Sequence, residues 1–372
     1  MKDDPVGIGI VGCGVISDIY LKNLTTLFRE VHVLGVCDTI RESAQKKHDE
    51  YNLPKSYDSY EDMLNDTDVE LILDLCPPAI HYQINKQALL AGKHVYTEKP
   101  LCGTFEEANK LCALATERGL TLCSSPDTVL GAAIQTGRKL ADDGVIGSIV
   151  GCSANLIKRG VETWHPNPFF LYQKGAGPLW DMGPYYINTL LQIMGRIKAV
   201  SAMTATSFPE RIITSQPHYG ETIHVDVETY VNALLRFESG AVGNLTMTFD
   251  VHQSHLPFVE IYGAEGSISV PDPNLFGGEP ILLYRPEDGT WKEIPFMFGY
   301  ADNSRGLGLA DACKAIRRNR KPRAGMEAAV HTVEIMESIL KSAEEKKEIT
   351  LKSSYERPAI MQSTAIPGIL DE

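Results

Sequence analysis

The stretch VGIGIVGCGVISDIYLKNL, residues 6–24, joins an apolar run, a glycine turn and a helical pattern. Val6–Val11 reads as a buried strand, and Gly12-Cys13-Gly14-Val15-Ile16-Ser17 carries the chain from it into a helix. Glycine at such a turn lets the backbone approach a pyrophosphate, and the helix end offers N–H groups that have no partner within the helix. Ser17 holds the third glycine position and is small enough for close helix packing. The spacing alone is a weak signature. The strand before it, the helix after it and Asp38 at the end of the next strand together predict a dinucleotide-binding βαβ unit.

Outward from this unit the alternation continues. Val31–Cys37, Val69–Leu75, His94–Thr97 and Thr121–Ser124 read as strands, with helices over Ile16–Arg29, Arg41–Tyr51, Ala79–Ala91 and Phe105–Glu117. This rhythm predicts an α/β Rossmann domain with a doubly wound parallel sheet over residues 1–126. A helix over Val129–Asp143 leads into a different texture. Ile149–Ile157, Ala199–Thr206, Asp226–Phe237, Ala241–Phe249, Phe258–Tyr262 and Ser267–Val270 read as strands, one pair forming a hairpin that turns at Glu238-Ser239-Gly240. Late helices over Leu307–Arg318 and Met326–Glu345 flank the basic turn Arg317–Pro322, read as a solvated helix end. The prediction is an α+β domain with a large, mostly antiparallel open sheet over 127–350, followed by a tail, 351–372.

The 372 residues suit two cores, and 43% hydrophobic with 22% charged residues is the composition of a globular chain. A formal charge of −13 repels phosphate backbones and anionic lipid, so neither nucleic acid nor membrane is an expected partner. The first residues lack a secretory pattern, and a cytoplasmic location is expected. The eight cysteines show no metal-ligand spacing; reduced thiols and no metal site are expected.

Asp38 can accept both ribose hydroxyls of NAD and would repel the 2′-phosphate of NADP, so NAD is the expected cofactor; nearby Arg41 keeps NADP as the alternative. Ligands of open α/β sheets lie at the carboxyl ends of the strands, where Glu98-Lys99-Pro100 follows His94–Thr97. Lys99 there would stabilise a developing alkoxide or polarise a ketone. In GAGPLWDMGPYY, residues 175–186, Pro184 is expected in the first turn of a helix continuing over Ile187–Met194, which sets Asp181 and Tyr185 at the helix mouth. A phenol of ordinary pKa about 10 needs a nearby cation to accept a proton near neutrality, and Lys99 is the candidate. The loop WHPNPFFLY, residues 164–172, offers aromatic faces for the apolar side of a sugar, with His165 and Asn167 for its hydroxyls. Burial of the same loop at a subunit contact is the alternative.

GIVGCGVIS, Asp38, AGKHVYTEKP and GAGPLWDMGPYY, in this order over nearly the whole chain, resemble the glucose-fructose oxidoreductase / inositol dehydrogenase (Gfo/Idh/MocA) family. The resemblance implies NAD(P)-dependent oxidation or reduction of a sugar or cyclitol carbon, and a C-terminal sheet that serves oligomer contacts, hence a homodimer or homotetramer. It matches Lys99 and Asp181 to the family's catalytic lysine and aspartate, and His81 to a position near the nicotinamide. Where the family places a histidine four residues after the aspartate, this chain has Tyr185. Tyr185 is therefore expected as proton relay, with His165, Asp181 or water as alternatives. Cofactor contacts are expected from Gly12, Gly14, Val15, Ile16, Asp38, Pro77, His81, Glu98 and Lys99, and substrate contacts from Lys99, His165, Asn167, Asp181 and Tyr185. The leading reading is an NAD-dependent dehydrogenase of a sugar, glycoside or cyclitol hydroxyl. The alternatives are a glycosidase that oxidises its sugar transiently with bound NAD, and a non-catalytic dinucleotide-sensing regulator.

Overall fold

The computed structural model describes residues 4–370; residues 1–3 and 371–372, the outer ends of the expected first domain and of the tail, lie outside it. Strand β1 (Val6–Val11) and helix α1 (Ser17–Thr26) begin a series of β2 (Val31–Cys37), α2 (Arg41–Tyr51), β3 (Lys55–Ser56), α3 (Tyr60–Asn65), β4 (Leu71–Asp74), α4 (His81–Leu90), β5 (His94–Thr97), α5 (Phe105–Glu117) and β6 (Leu122–Ser124). The strands form a wholly parallel sheet in the order β3-β2-β1-β4-β5-β6. All six residues of β1 are buried, as a strand covered by helices on both faces requires. The order reverses between β1 and β4, and the crevice for a dinucleotide opens at their carboxyl ends.

The chain continues through α6 (Ala132–Asp142), β7 (Ile149–Ile157), α7 (Gly177–Met194), β8 (Ile197–Ala205), β9 (Glu210–Ile212), β10 (Thr222–His224), β11 (Tyr230–Phe237), β12 (Val242–Thr248), β13 (Val259–Gly263), β14 (Ser267–Val270), β15 (Ile281–Tyr284), β16 (Trp291–Ile294), α8 (Leu307–Arg318), α9 (Met326–Glu345) and β17 (Ile349–Thr350). Among the described residues nine strands form one sheet in the order β16-β15-β14-β13-β7-β12-β11-β8-β17, and β7–β12 is its only parallel pair. One face packs on α6, α7 and α9. The register sets Met203, Leu234, Val242, Tyr262, Tyr284 and Trp291 on the other face, among polar residues. Helix α9 touches both α5 and β8, so it ties the two sheets together.

The structure corrects several expectations. Pro184 is inside α7 rather than in its first turn; Pro178 takes the N-terminal position and the helix starts at Gly177. A proline within a helix costs about 3 kcal/mol. Gly183–Ile193 is buried throughout, and each large apolar side chain there returns ~1.5–3 kcal/mol, so packing outweighs the lost hydrogen bond. Residues 226–229 are not strand, because their backbone is taken by other partners: Asp226 N–H donates to the Tyr172 carbonyl (2.9 Å) and Val227 O accepts from Thr206 Oγ1 (2.9 Å). The short strands β3, β9, β10, β15, β16 and β17 have no counterpart in the sequence reading. The basic turn after α8 is less solvated than expected: Arg317 Nη2 pairs with Glu70 (2.6 Å), and Arg320 and Arg323 both pair with the buried Asp311 carboxylate (2.6 Å each).

Candidate active site

Gly12 has φ +95°, and a Cβ there would lie 2.7 Å from the Leu75 carbonyl carbon, so only glycine fits this turn. A Cβ on Gly14 would meet nothing, and Val15 is 91% exposed. The N–H groups of Gly14, Val15 and Ile16 have no acceptor among the described residues, and they stand at the start of α1. Buried Ser17 donates to the Gly14 carbonyl (2.6 Å) and closes the loop in place of a third glycine. These residues fit a pyrophosphate. Asp38 accepts from Cys13 N–H through Oδ2 (2.7 Å) and from Ile40 N–H through Oδ1 (2.8 Å), which fastens the loop to the end of β2. Arg41 points away to pair with Asp58 (2.7 Å). The set fits a dinucleotide whose ribose meets a carboxylate.

At the end of β5, Glu98 accepts from the Tyr20 hydroxyl (2.6 Å) and from Lys99 N–H (2.9 Å). The Lys99–Pro100 peptide is cis. Lys99 Nζ reaches across to α7 and donates to Asp181 twice, at the carbonyl oxygen (2.5 Å) and at Oδ1 (2.8 Å). Burial alone would lower the Lys99 pKa, but Asp181 and the neighbouring Tyr185 and Glu98 outweigh it and the ammonium is held well above its ordinary range. One helical turn beyond Asp181, the Tyr185 ring lies under the same ammonium, 5.4 Å from ring centroid to Nζ. The four-residue spacing puts Asp181 and Tyr185 on one face of α7, which is why one lysine meets both.

Tyr185 departs from the expected electrostatics. Its pKa is raised from 10, because burial outweighs the lowering by Lys99 and by a second cation, Arg305. The phenol therefore keeps its proton at neutral pH and is a hydrogen-bond donor in this state. Arg305, which the sequence reading passed over, precedes α8, and its positive charge acts with that of Lys99 to lower the Tyr185 pKa against burial. Asp127 holds that segment: its buried Oδ2 accepts from Gly306 N–H (2.8 Å) and Gly308 N–H (3.1 Å).

His81 is fully buried, with Nδ1 against the Pro100 carbonyl (2.7 Å) and Nε2 against the Cys76 carbonyl (2.8 Å). Both ring nitrogens are thus engaged by backbone, and the side chain braces the loop behind Lys99. Pro77 is exposed at the mouth of the crevice, before the single turn that leads into α4. His165 packs edge-on against Trp164 and Phe170, and its Nδ1 accepts from Asn167 N–H (3.0 Å). Trp164 is 66% exposed. No hydrogen bond or ring contact joins His165 or Asn167 to Lys99, Asp181 or Tyr185 among the described residues. The loop is anchored below by Glu162, which accepts from the Tyr172 hydroxyl and pairs with the buried Arg211 (2.8 Å).

Residues 6–125 match the family described as "Oxidoreductase family, NAD-binding Rossmann fold", and residues 134–269 match the "GFO/IDH/MocA C-terminal domain". The chain is 26% identical over 333 residues to D-xylose dehydrogenase of Paenarthrobacter nicotinovorans, covering 84% of each chain. It is 22% identical over 375 residues to scyllo-inositol 2-dehydrogenase (NADP(+)) of Bacillus subtilis, covering 94% of this chain and 97% of that one. Its fold superposes on levoglucosan dehydrogenase, solved with NADH and L-sorbose, with a TM-score of 0.81 at 21% identity, covering 94% of this chain and 100% of the other. With its Rossmann domain and the greater part of its second domain up to residue 269 matched in order, this chain belongs to the Gfo/Idh/MocA family of oxidoreductases.

Proposed function

We propose that the protein is an NAD-dependent dehydrogenase of a secondary hydroxyl on a sugar, glycoside or cyclitol, working reversibly against the corresponding ketone. The observation that carries the reading is the junction of Lys99, Asp181 and Tyr185 at the carboxyl end of β5. The named activities of the relatives, on D-xylose and scyllo-inositol, support the substrate class. Bound NAD supplies the hydride acceptor. Lys99 stabilises charge on the reacting oxygen, Tyr185 exchanges the proton with it, and Asp181 orients Lys99. Gly12, Gly14, Val15 and Ile16 cradle the pyrophosphate, Asp38 selects NAD over NADP, Pro77, Glu98 and Lys99 border the nicotinamide and His81 braces them. His165 and Asn167 contact the outer part of the substrate.

In this reading residues 1–126 carry the cofactor and 127–350 the substrate and subunit contacts, with 351–372 as a tail. The apolar side chains Met203, Leu234 and Trp291 on the helix-free face of the large sheet support a homodimer or homotetramer, which light scattering at micromolar concentration tests. All eight cysteines are free thiols, which supports a reducing, cytoplasmic compartment, and no helix among the described residues is long and apolar enough to cross a membrane.

Incubation with NAD and a panel of pentoses, hexoses, glycosides and inositols, followed by NADH absorbance, tests the reading. Reduction of NAD by members of one stereochemical class is the expected result. Release of aglycone from an aryl glycoside without net NADH would instead establish the glycosidase reading, and NAD binding with no turnover of any kind the sensing one.

A further inference from the structure

The arm that carries β9 and β10, residues 206–226, has no role in the reading above, yet it grips the loop before α7 from Glu162 to Tyr172. At the tip of the arm, Thr214 N–H and Ser215 N–H donate to the Glu162 carbonyl (2.9 and 3.2 Å). The buried Ser215 hydroxyl donates to the His165 carbonyl (2.6 Å) and more weakly to that of Glu162 (3.3 Å). Nearer the sheet, Arg211 reaches Glu162 through Nη1 (2.8 Å) and Asp250 through Nη2, and Asp226 N–H donates to the Tyr172 carbonyl (2.9 Å). His218 meets the Phe169 ring edge-on, with centroids 5.2 Å apart.

The same contacts fix one imidazole. Pro166 has no N–H, so the first amide after His165 that can turn back to its ring is that of Asn167, and it does so at Nδ1 (3.0 Å). A backbone amide only donates, so Nδ1 is the unprotonated nitrogen and the proton of the neutral ring sits on Nε2. His165 N–H donates to the Val161 carbonyl (2.8 Å), its carbonyl is taken by Ser215, and Trp164 and Phe170 flank the ring. Among the described residues nothing accepts from Nε2, and the ring is only half-buried. The loop thus holds an N–H donor of set direction, and its last residue, Tyr172, stands five residues before α7, the helix whose Asp181 meets Lys99.

We propose that Ser215 is a positioning residue for the substrate: by holding the His165 carbonyl it keeps the chain turned so that Asn167 caps Nδ1, and His165 presents Nε2–H to an oxygen of the sugar or cyclitol. The proposal rests on the dehydrogenase reading and on His165 as a substrate contact. Ser215 touches neither substrate nor cofactor and acts through His165, which makes the arm part of the substrate site. Its effect falls on binding, because a hydrogen bond to an oxygen away from the reacting carbon is as strong in the ground state as in the transition state. With Nε2 protonated and Nδ1 occupied, His165 has no lone pair left to accept a proton, so the relay stays with Tyr185.

Ser215→Ala, made with and without His165→Phe, tests this by two independent readouts. It removes one hydroxyl, whereas loss of Arg211 would strand two buried carboxylates and endanger folding. The first readout needs no substrate. Protein carrying isotope-labelled histidine gives proton–nitrogen correlation spectra that distinguish protonated from unprotonated ring nitrogens, and the signals lost in His165→Phe identify this ring among the ten. The parent is expected to show Nε2–H alone, and Ser215→Ala a mixture of the two tautomers. The second readout is NAD reduction with the pentoses, hexoses, glycosides and inositols of the panel above. Ser215→Ala should raise KM for the sugar by ~2-fold to ~10-fold, the value of one neutral hydrogen bond, with kcat and NADH affinity little changed. His165→Phe should raise KM at least as much, and the double variant no further, since both changes act through one ring. A parent with Nδ1–H or mixed tautomers, a Ser215→Ala with parental tautomer or parental KM, or KM increments that multiply in the double variant would each overturn the proposal. An active parent whose KM neither variant moves rejects the proposal and keeps the dehydrogenase; a parent that reduces NAD with no member of the panel rejects both. If Ser215→Ala does not fold, Ser215→Cys, with a weaker donor at the same position, carries the same comparisons at a smaller shift.

Discussion

Lys99 Nζ lies 2.5 Å from the carbonyl oxygen of Asp181 and 2.8 Å from its Oδ1, so a loop of the parallel sheet is joined to a helix of the second sheet through one ammonium. The side chains are 16% and 24% exposed. The ammonium stays charged because Asp181 compensates its desolvation. A fixed cation in a site that excludes most water is the arrangement that stabilises a developing alkoxide.

Lys99→Ala is expected to reduce kcat by ~10²-fold or more, since it removes both charge stabilisation of the reacting oxygen and one of two cations that favour the Tyr185 phenolate. NADH binding, followed by fluorescence, should change little, because the phosphate loop and Asp38 are untouched. An equal loss in binding and in rate would place Lys99 on the cofactor alone.

The pH dependence of the two directions should differ in sign. Burial holds the Tyr185 pKa above 10, so the free enzyme carries the phenol protonated through neutrality. Ketone reduction uses that proton and should be level around neutral pH, declining only where the phenol ionises. Alcohol oxidation uses the deprotonated form and should rise with pH toward the same limit. Tyr185→Phe should cost ~10²-fold or more and abolish both dependences. If its rate and pH profile match the parent, the relay lies elsewhere, and His165→Ala is the next variant.

Asp38→Ser should narrow the preference for NAD over NADP, measured as the ratio of the two kcat/KM values, by removing the charge that opposes a 2′-phosphate. It should also weaken NAD itself, because Asp38 Oδ2 holds Cys13 N–H in the phosphate loop. Better use of NADP than NAD by the parent would refute the assignment.

Asp127 should make stability depend on pH. Burial raises its pKa from 3.8 to about 6, ahead of the opposing hydrogen bonds from Gly308 and Gly306. A raised carboxylate binds its proton in the folded state first, so its contribution becomes more favourable as pH falls from about 7 toward 4. At about 1.4 kcal/mol per pKa unit the change approaches ~3 kcal/mol. Asp127→Asn keeps an acceptor for Gly306 and Gly308 but cannot titrate. The parent-minus-variant difference in urea unfolding free energy should therefore grow on acidification; a constant difference between pH 7 and pH 5 would contradict it.

Much of the molecule was legible because its signals are local. The glycine turn at Gly12 needs a positive φ and a close approach to Leu75, and the alternation of strand and helix around it reflects burial on both sheet faces. Lys99, Asp181 and Tyr185 stood out as unusual chemistry beside prolines, the last two at a spacing that one helical face brings together. Pro184 was misplaced because a rule about propensity knows nothing of the packing that surrounds Gly183–Ile193. The strands β15 and β16 are four residues each, too short for a periodic pattern to rise above noise.

The sequence by itself determined the parallel sheet, the glycine turn after β1, the acidic end of β2 and the sharing of one helical face by Asp181 and Tyr185, since each is written in a local pattern of strand, turn or helical spacing. Only the tertiary structure decided that Lys99 reaches Asp181 and the Tyr185 ring across 82 residues or more, and that burial raises the Tyr185 pKa. A pKa is set by the sum of burial and neighbouring charge, and the neighbour Lys99 stands beside Tyr185 only once the loop after β5 packs against α7.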